Sequence, residues 1–479
     1  MRIKVMRRLA IASLVLFSSL PRTAAAQRAD SLSLSIQDAV ARALRVGDEA
    51  RAAAAQVEIA DAQVTIARAA GLPQLRLSGS QSHVSESARA QAVGAIFNQP
   101  NTYTANANFS QALFQGGRIM AGSRAANAVR SAARLDEAET KAQVALEVQR
   151  AYLQVLFAKR LAEIQDTGLS LAAQRVKQAE QFEAAGRAAR YDVLRARVQQ
   201  ANLEPAAIEA RSDVELSMLD LKRLANIPSS QPLKLTSSID TLAVRAIAAS
   251  VAAAPALSER PALKSAEALV QARKAGVRVA KADLLPTISL NGVIGGQAFP
   301  LSGLPNGRGR LDVVPCPAGS AADRVCTQQN GGWFGDRSFG LSMSWPIFDG
   351  LRAKGAIDLA QANTRLAELQ LAQTRERVET DITARRAELD RAQSLYAARR
   401  TNAQEADEAF RLATLRYSRG LGTQLEVSDA QLALTTAQTN EARAIFDLYL
   451  AAATLARALG QPVPFPDRPW VPVTPNQNR

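Results

Sequence analysis

Residues 113–118 read Leu-Phe-Gln-Gly-Gly-Arg, and residues 347–352 read Ile-Phe-Asp-Gly-Leu-Arg. Each hexapeptide stands between a segment that alternates polar and apolar residues and a long Ala-rich segment. Alternation with a period of two predicts a strand, and the glycines predict a turn. The chain therefore repeats one strand–turn–helix junction, and equivalent positions of the two copies are 234 residues apart.

Other similarities extend this duplication over most of the chain. Residues 71–79 resemble residues 284–292, residues 186–196 resemble 420–430, and Pro228 corresponds to Pro462. The first of these pairs is 213 residues apart and the others are 234 apart, so the second copy carries 21 additional residues, around 295–336. Self-similarity at a fixed period indicates an internal repeat.

Within each copy the pattern predicts a helix, two strands and a long helical hairpin. The first helix covers 36–70 or 259–283, and a proline after it ends the helix. Apolar residues then recur at spacings of three and four, as in a coiled coil. They predict helices over 118–184 and 351–417, with returning helices over 190–225 and 423–459. A helix of this length reaches on the order of 100 Å.

These patterns divide the chain into consecutive segments. A signal peptide is predicted at 1–26, and a first repeat at 27–228 contains a β-hairpin at 72–114 and a helical hairpin at 118–225. An inter-repeat linker follows at 229–258. The second repeat, at 259–462, contains a β-hairpin at 285–348 and a helical hairpin at 351–459, and a Pro-rich tail follows at 463–479.

The N-terminus predicts export from the cytoplasm. Basic residues at 2–8 precede an apolar run at 9–20, and three alanines at 24–26 form a small-residue cleavage site. Cleavage removes five basic residues and lowers the net charge from +14 to +9. The remaining charges are scattered, so we expect no nucleic acid as a partner.

The two cysteines, Cys316 and Cys326, lie in the extra segment of the second copy. In an exported protein this pair predicts a disulfide across a loop, although two unpaired thiols are the alternative. The one histidine, His83, is distant in sequence, so we expect no metal site. The chain shows no Gly-rich phosphate loop and no catalytic constellation, so we expect neither a cofactor nor an enzyme.

The length and number of the predicted strands bear on whether the chain enters a membrane. A strand of about 10 residues with one apolar face has the length needed to cross an outer membrane, although a half-buried strand in a soluble sheet reads the same way. Four strands cannot close a barrel, and the smallest membrane barrels have about eight. Several chains would therefore have to pool their strands, and the strand count alone leaves two or three chains open.

The duplication, the Leu-Pro strand starts, the Phe-x-Gly-Gly/Leu-Arg ends and the Tyr-x-x-Gly turn together resemble the TolC-type outer-membrane efflux proteins. The resemblance covers nearly all of the mature chain. It implies a mainly α fold with a small β part, and a homotrimer in outer-membrane lipid. Twelve pooled strands would form a β-barrel above a long periplasmic α-barrel.

The resemblance also implies a function. The trimer would passively conduct substrates, in multidrug efflux or type I secretion. They would be delivered by a periplasmic adaptor protein and by an inner-membrane efflux pump or ABC transporter. A periplasmic coiled-coil scaffold without a membrane barrel is the alternative function, and a simple porin is another.

The resemblance places functional residues at the two helical turns. Those assigned to a periplasmic gate are Glu426, Asp429, Asp192 and Tyr417, and those assigned to adaptor-facing turns are Gly186, Arg187, Arg419 and Gly420. An arginine that closes the gate in the best-known members falls here on Gly422. Another arginine would have to hold the closed state, and the candidates are Arg187, Arg190, Arg416 and Arg419.

Overall fold

The computed structural model of the protein describes residues 32–86, 88, 100–255, 260–316 and 325–467. The predicted signal peptide and most of the predicted Pro-rich tail lie outside these ranges. The described chain is mostly helical, with eight strands. Within the described ranges, no helix is both long enough and apolar enough to cross a membrane.

The prediction of one continuous helix over 36–70 is wrong. The structure has α1 at Ile36–Val46 and α2 at Asp48–Ala69, with an extended residue, Gly47, between them. A Cβ atom at Gly47 would lie 2.3 Å from the carbonyl oxygen of Ala43, so a side chain does not fit there. The Ser35 hydroxyl caps α1 by accepting the Asp38 N–H.

Two very long helices dominate the molecule. These are α3 at Arg118–Ala184 and α7 at Arg352–Ser418, each 67 residues long and about 100 Å from end to end. Each is followed by a returning helix of 35 residues, α4 at Arg190–Leu224 and α8 at Gln424–Ala458. The pairs α3–α4 and α7–α8 pack as antiparallel hairpins, and α3 also packs against α8.

Small residues allow these helices to pack closely. Along α3 the buried positions include Ala151, Ala158, Ala172 and Ala179, which keep side-chain bulk out of the helix–helix interface. Ion pairs also join α3 to α4. In one of them, two guanidinium nitrogens of Arg211 donate to the Asp166 carboxylate, and the shorter contact is 2.6 Å. Because these pairs are exposed, packing contributes more to the stability of the hairpin than they do.

One antiparallel sheet joins the two halves of the chain. Its strands are β2 at Gln74–His83, β3 at Asn101–Gln115, β5 at Thr287–Ala298 and β8 at Trp333–Ser344, in the order β2-β3-β5-β8. The central pairing of β3 with β5 connects the first half to the second. Strands β2 and β8 are the two edges, and neither has an outer partner within the described chain.

The edge strands expose large apolar side chains. On β2, Leu75 and Leu77 are 73% and 79% exposed, and on β8, Phe339, Leu341 and Met343 are 61–69% exposed. These residues alternate along their strands, so each set points to one side of the sheet. An apolar band of this kind on an uncovered sheet face marks an interaction surface.

The 21-residue insertion forms a small hairpin. Strand β6 at Leu311–Val314 pairs with β7 at Cys326–Gln329, and this hairpin connects β5 to β8. A disulfide joins Cys316 to Cys326, with a Cα–Cα distance of 5.2 Å. The predicted disulfide is therefore confirmed, and it closes the end of the hairpin.

The segment predicted as a linker, 229–258, is folded along most of its length. It contains β4 at Leu233–Leu235, which pairs in parallel with β1 at Leu32–Leu34, and α5 at Thr241–Ala252, which packs against α8. The helix before the second pair of sheet strands is α6 at Pro261–Lys281, and it packs against α3 and α7. These elements surround the middle of the helical hairpins.

Two buried tyrosines tie this middle region together. The Tyr152 hydroxyl donates to the Leu34 carbonyl at 2.9 Å and accepts the Ser237 N–H at 3.0 Å. The Tyr449 hydroxyl lies 2.6 Å from Gln149 Oε1 and 2.5 Å from the Pro464 carbonyl. Burial raises the pKa of Tyr449 well above its ordinary value, and the charge of Asp467 adds to the shift. The neutral hydroxyl is thus the form that holds the C-terminal segment.

We predict that Tyr152→Phe destabilises the protein by about 1–3 kcal/mol, because the part-buried Ser237 N–H loses its acceptor. The Leu34 carbonyl keeps a bond from the Thr236 N–H. Thermal unfolding of the detergent-extracted protein should show a midpoint lower by a few degrees. The control Tyr191→Phe, at a side chain 68% exposed, should leave the midpoint unchanged. Equal midpoints for the two variants would contradict this role of Tyr152.

Candidate functional site at the tips of the helical hairpins

Both helical hairpins end in the same kind of turn. Helix α3 ends before Gly186 (φ 68°) and helix α7 before Gly420 (φ 75°), both in the left-handed region. The Arg187 N–H donates to the Phe182 carbonyl at 2.7 Å, and the Leu421 N–H donates to the Arg416 carbonyl at 2.9 Å. A Cβ atom at either glycine would meet nothing within 4 Å, so backbone conformation alone requires glycine there.

The two tips lie against each other. The rings of Phe182, from the first tip, and Tyr417, from the second, have centroids 6.4 Å apart. The Arg187 guanidinium lies over the Phe182 ring, 5.3 Å from its centroid. The Asp192 carboxylate, in the first turn of α4, is close enough to act on Tyr417 electrostatically. The structure thus brings together three of the residues that the sequence analysis assigned to two separate turns.

The surroundings of Tyr417 keep its hydroxyl neutral. Partial burial is the main cause that raises the pKa of Tyr417, and the negative charge of Asp192 raises it further. The Arg175 guanidinium opposes this shift. Tyr417 is therefore an uncharged side chain under the electrostatic influence of both an acid and a cation.

Arg175 is a residue of this site that the sequence analysis missed. Burial lowers the pKa of its guanidinium, and it lies 5.5 Å from the Phe410 ring centroid of the second hairpin. It stands seven residues before Phe182, which is two helical turns and hence the same face of α3. That spacing is the signal by which it could have been found.

The two acids of the second tip lie at the start of α8. The Thr423 hydroxyl caps this helix by accepting the Glu426 N–H at 3.3 Å. The Glu426 side chain is 48% exposed. Asp429 is exposed one turn further on and lines a groove of about 190 Å³ together with Arg175 and Gln199. An acid and a cation therefore meet in one groove between the two hairpins.

Gly422 leaves room for one particular arginine. A Cβ atom at Gly422 would lie 3.2 Å from Arg416 Cβ and 3.2 Å from a carboxylate oxygen of Glu426. Arg416 uses this space: its Nε lies 3.9 Å from that carboxylate oxygen, and its Nη2 donates to the Leu421 carbonyl at 3.3 Å. Among the four candidate arginines, Arg416 is the one that contacts an acid assigned to the gate.

Comparison with known proteins identifies the class. A model of the family described as "Outer membrane efflux protein" matches residues 39–226 and 253–461. These two segments make up most of the chain, and they correspond to its two halves. The chain belongs to the outer membrane efflux protein family. It is an outer-membrane channel protein of efflux systems that extends into the periplasm, which disfavours the alternative of a scaffold without a membrane part.

Curated relatives are similar along most of their length. The chain is 24% identical over 416 residues to Nodulation protein T of Rhizobium leguminosarum bv. trifolii, covering 85% of the chain and 81% of the relative. It is 27% identical over 425 residues to the pyoverdine export outer membrane protein OpmQ of Pseudomonas putida, covering 85% and 82%.

Solved structures show the same fold. The outer membrane protein VceC of Vibrio cholerae superposes with a TM-score of 0.69 at 22% identity, covering 89% of this chain and 96% of that one. The CmeC outer membrane channel of Campylobacter jejuni gives a TM-score of 0.69 at 18% identity, covering 89% and 85%. At these identities the similarity concerns the fold.

We predict that Thr423→Ala loosens the start of α8, because the Glu426 N–H loses its cap at a cost of about 1 kcal/mol. Amide hydrogen exchange at residues 424–428 should become several-fold faster. Thr414→Ala is a suitable control, since that exposed hydroxyl only donates to the Phe410 carbonyl within α7. Unchanged exchange in the Thr423 variant would show that the cap does not stabilise this tip.

Proposed function

We propose that the protein works as a homotrimer whose chains pool their strands into one twelve-stranded outer-membrane barrel. The observation that carries this proposal is the four-stranded sheet with two open edges, β2 and β8, beside exposed apolar side chains. In lipid, unpaired backbone groups at an edge cost several kcal/mol each, so the edges need partners. Three chains give a barrel wide enough for a lumen, whereas two would give eight strands and a filled interior.

The helical hairpins then form a periplasmic duct of about 100 Å. Nothing in such a duct supplies energy, so conduction is passive. An inner-membrane efflux pump or ABC transporter would supply the energy, and a periplasmic adaptor would connect the two. The pump would select the substrate, in multidrug efflux or type I secretion. One relative is named for the export of pyoverdine, which favours efflux of small molecules.

The hairpin tips are the proposed gate. In a trimer, Glu426, Asp429 and Asp192 would each form a ring of three carboxylates around the axis, and such rings attract cations. Tyr417 would hold the two tips of one chain together through its contact with Phe182. Arg416 would take over the restraining role of the arginine that is absent at Gly422, by holding Glu426 within its own hairpin.

The exposed tip turns are the proposed adaptor surface. Gly186 and Arg187 in the first hairpin, and Arg419 and Gly420 in the second, are all exposed. An adaptor that binds the open arrangement of the tips more tightly than the closed one would shift the equilibrium toward opening.

For the gate, we predict that Glu426→Gln combined with Asp429→Asn raises the conductance of the purified channel in planar bilayers or weakens its preference for cations. The reason is the loss of two carboxylates per chain at the constriction. The matched control is Glu209→Gln with Asp213→Asn, which removes two exposed carboxylates from the middle of α4, away from the tips. If neither conductance nor selectivity changes relative to this control, the gate lies elsewhere.

For the assembly, we predict that the protein leaves outer membranes only with detergent and then has the mass of three chains. Native mass spectrometry of the extracted protein measures this directly. A dimeric mass would reject the twelve-stranded barrel. Release as a soluble species by osmotic shock would reject the membrane barrel altogether.

A further inference from the structure

A second concave site lies far from the tips, in the middle of the molecule. Helices α5, α7 and α8 enclose a cleft of about 480 Å³. Its apolar floor consists of Ala248, Leu448 and Tyr396, all at most 6% exposed. Its rim is polar, and the rim residues are Arg245, Gln393, Arg400, Thr401 and Gln404.

The rim carries positive charge only. Arg245 comes from α5 and Arg400 from α7, and no residue lining the cleft is acidic. Helix α5 contains no aspartate or glutamate, and neither does the stretch 391–404 of α7. The cationic rim therefore comes from α5 and α7, the two helices that supply the rim residues.

Other arginines of α7 are paired with acids. Arg385 contacts Asp381 and Glu388, and Arg411 contacts Glu408 at 2.6 Å. In the part of the chain that the structure describes, neither Arg245 nor Arg400 takes part in an ion pair. Two guanidinium groups at one cleft repel each other, and a bound oxyanion would remove that repulsion.

We propose that this cleft binds a small amphipathic carboxylate. The guanidinium groups of Arg245 and Arg400 take the carboxylate, because their planar N–H groups match its two oxygens. The floor at Ala248, Leu448 and Tyr396 takes the apolar body of the ligand. The volume lies within the range of roughly 300–1,000 Å³ typical of small-molecule sites. This inference does not depend on the proposed gate or on conduction.

The experiment uses the full-length, detergent-extracted oligomer and phenylacetate as the probe, with binding followed by saturation-transfer NMR and calorimetry. Wild-type protein should bind the probe saturably, and Arg245→Ala with Arg400→Ala should weaken binding at least tenfold. The control is Arg399→Ala, since Arg399 is an exposed neighbour of the same charge outside the cleft lining. This variant should bind like the wild type. All three arginines are exposed, so thermal midpoints should agree.

Several results would overturn the proposal. If wild-type protein shows no saturable binding, or if the double variant binds equally, the cleft is not the site. If Arg399→Ala loses binding to the same extent, the attraction is a general surface charge. If inorganic phosphate binds as tightly as phenylacetate, the apolar floor contributes nothing and the amphipathic assignment is wrong.

Discussion

The pairing of β3 with β5 is the interaction on which the rest of this molecule depends. It runs from Tyr103 opposite Ala298 to Gln115 opposite Thr287 and joins a strand of each half. Helix α3 begins three residues after β3, and α7 begins shortly after β8, the neighbour of β5. The sheet register therefore sets the relative height of the two long helices. Among the described residues, β2 and β8 have no partner on their outer sides, which is the reason to expect further copies of the chain.

The two long helices are also aligned at their ends away from the sheet. Because α3 and α7 both have 67 residues and start from one sheet, their tips arrive at the same level. There Phe182 meets Tyr417, and Asp192 acts on a tyrosine of the other hairpin. The contact between the two tips is thus a consequence of the equal lengths of α3 and α7. Insertion of a few residues in one helix alone would separate the two tips.

Arginine has two different surroundings in this fold. At the tip, Arg416 reaches Glu426 and the Leu421 carbonyl across a turn that Gly422 leaves open. In the middle of the molecule, Arg245 and Arg400 line a cleft without an acidic residue. The first arrangement pairs a cation within the chain, and the second is the site that we propose for a carboxylate. The elements around that cleft include the segment between the repeats, so this segment does more than link two copies.

Periodicity in the sequence was sufficient to place the long helices and the four sheet strands, because these features depend on neighbours along the chain. The cysteine pair followed from its place in the extra segment of an exported chain. The same local reasoning failed at Gly47, where close approach to the Ala43 carbonyl, rather than apolar spacing, ends a helix. It treated 229–258 as a linker, because the partners of β4 and α5 are about 200 residues away. It missed Arg175 and could not choose Arg416 from four candidates. Those assignments depend on which side chains meet through space. The packing of one hairpin against the other decides this for Arg175, and the conformation of the second tip turn decides it for Arg416.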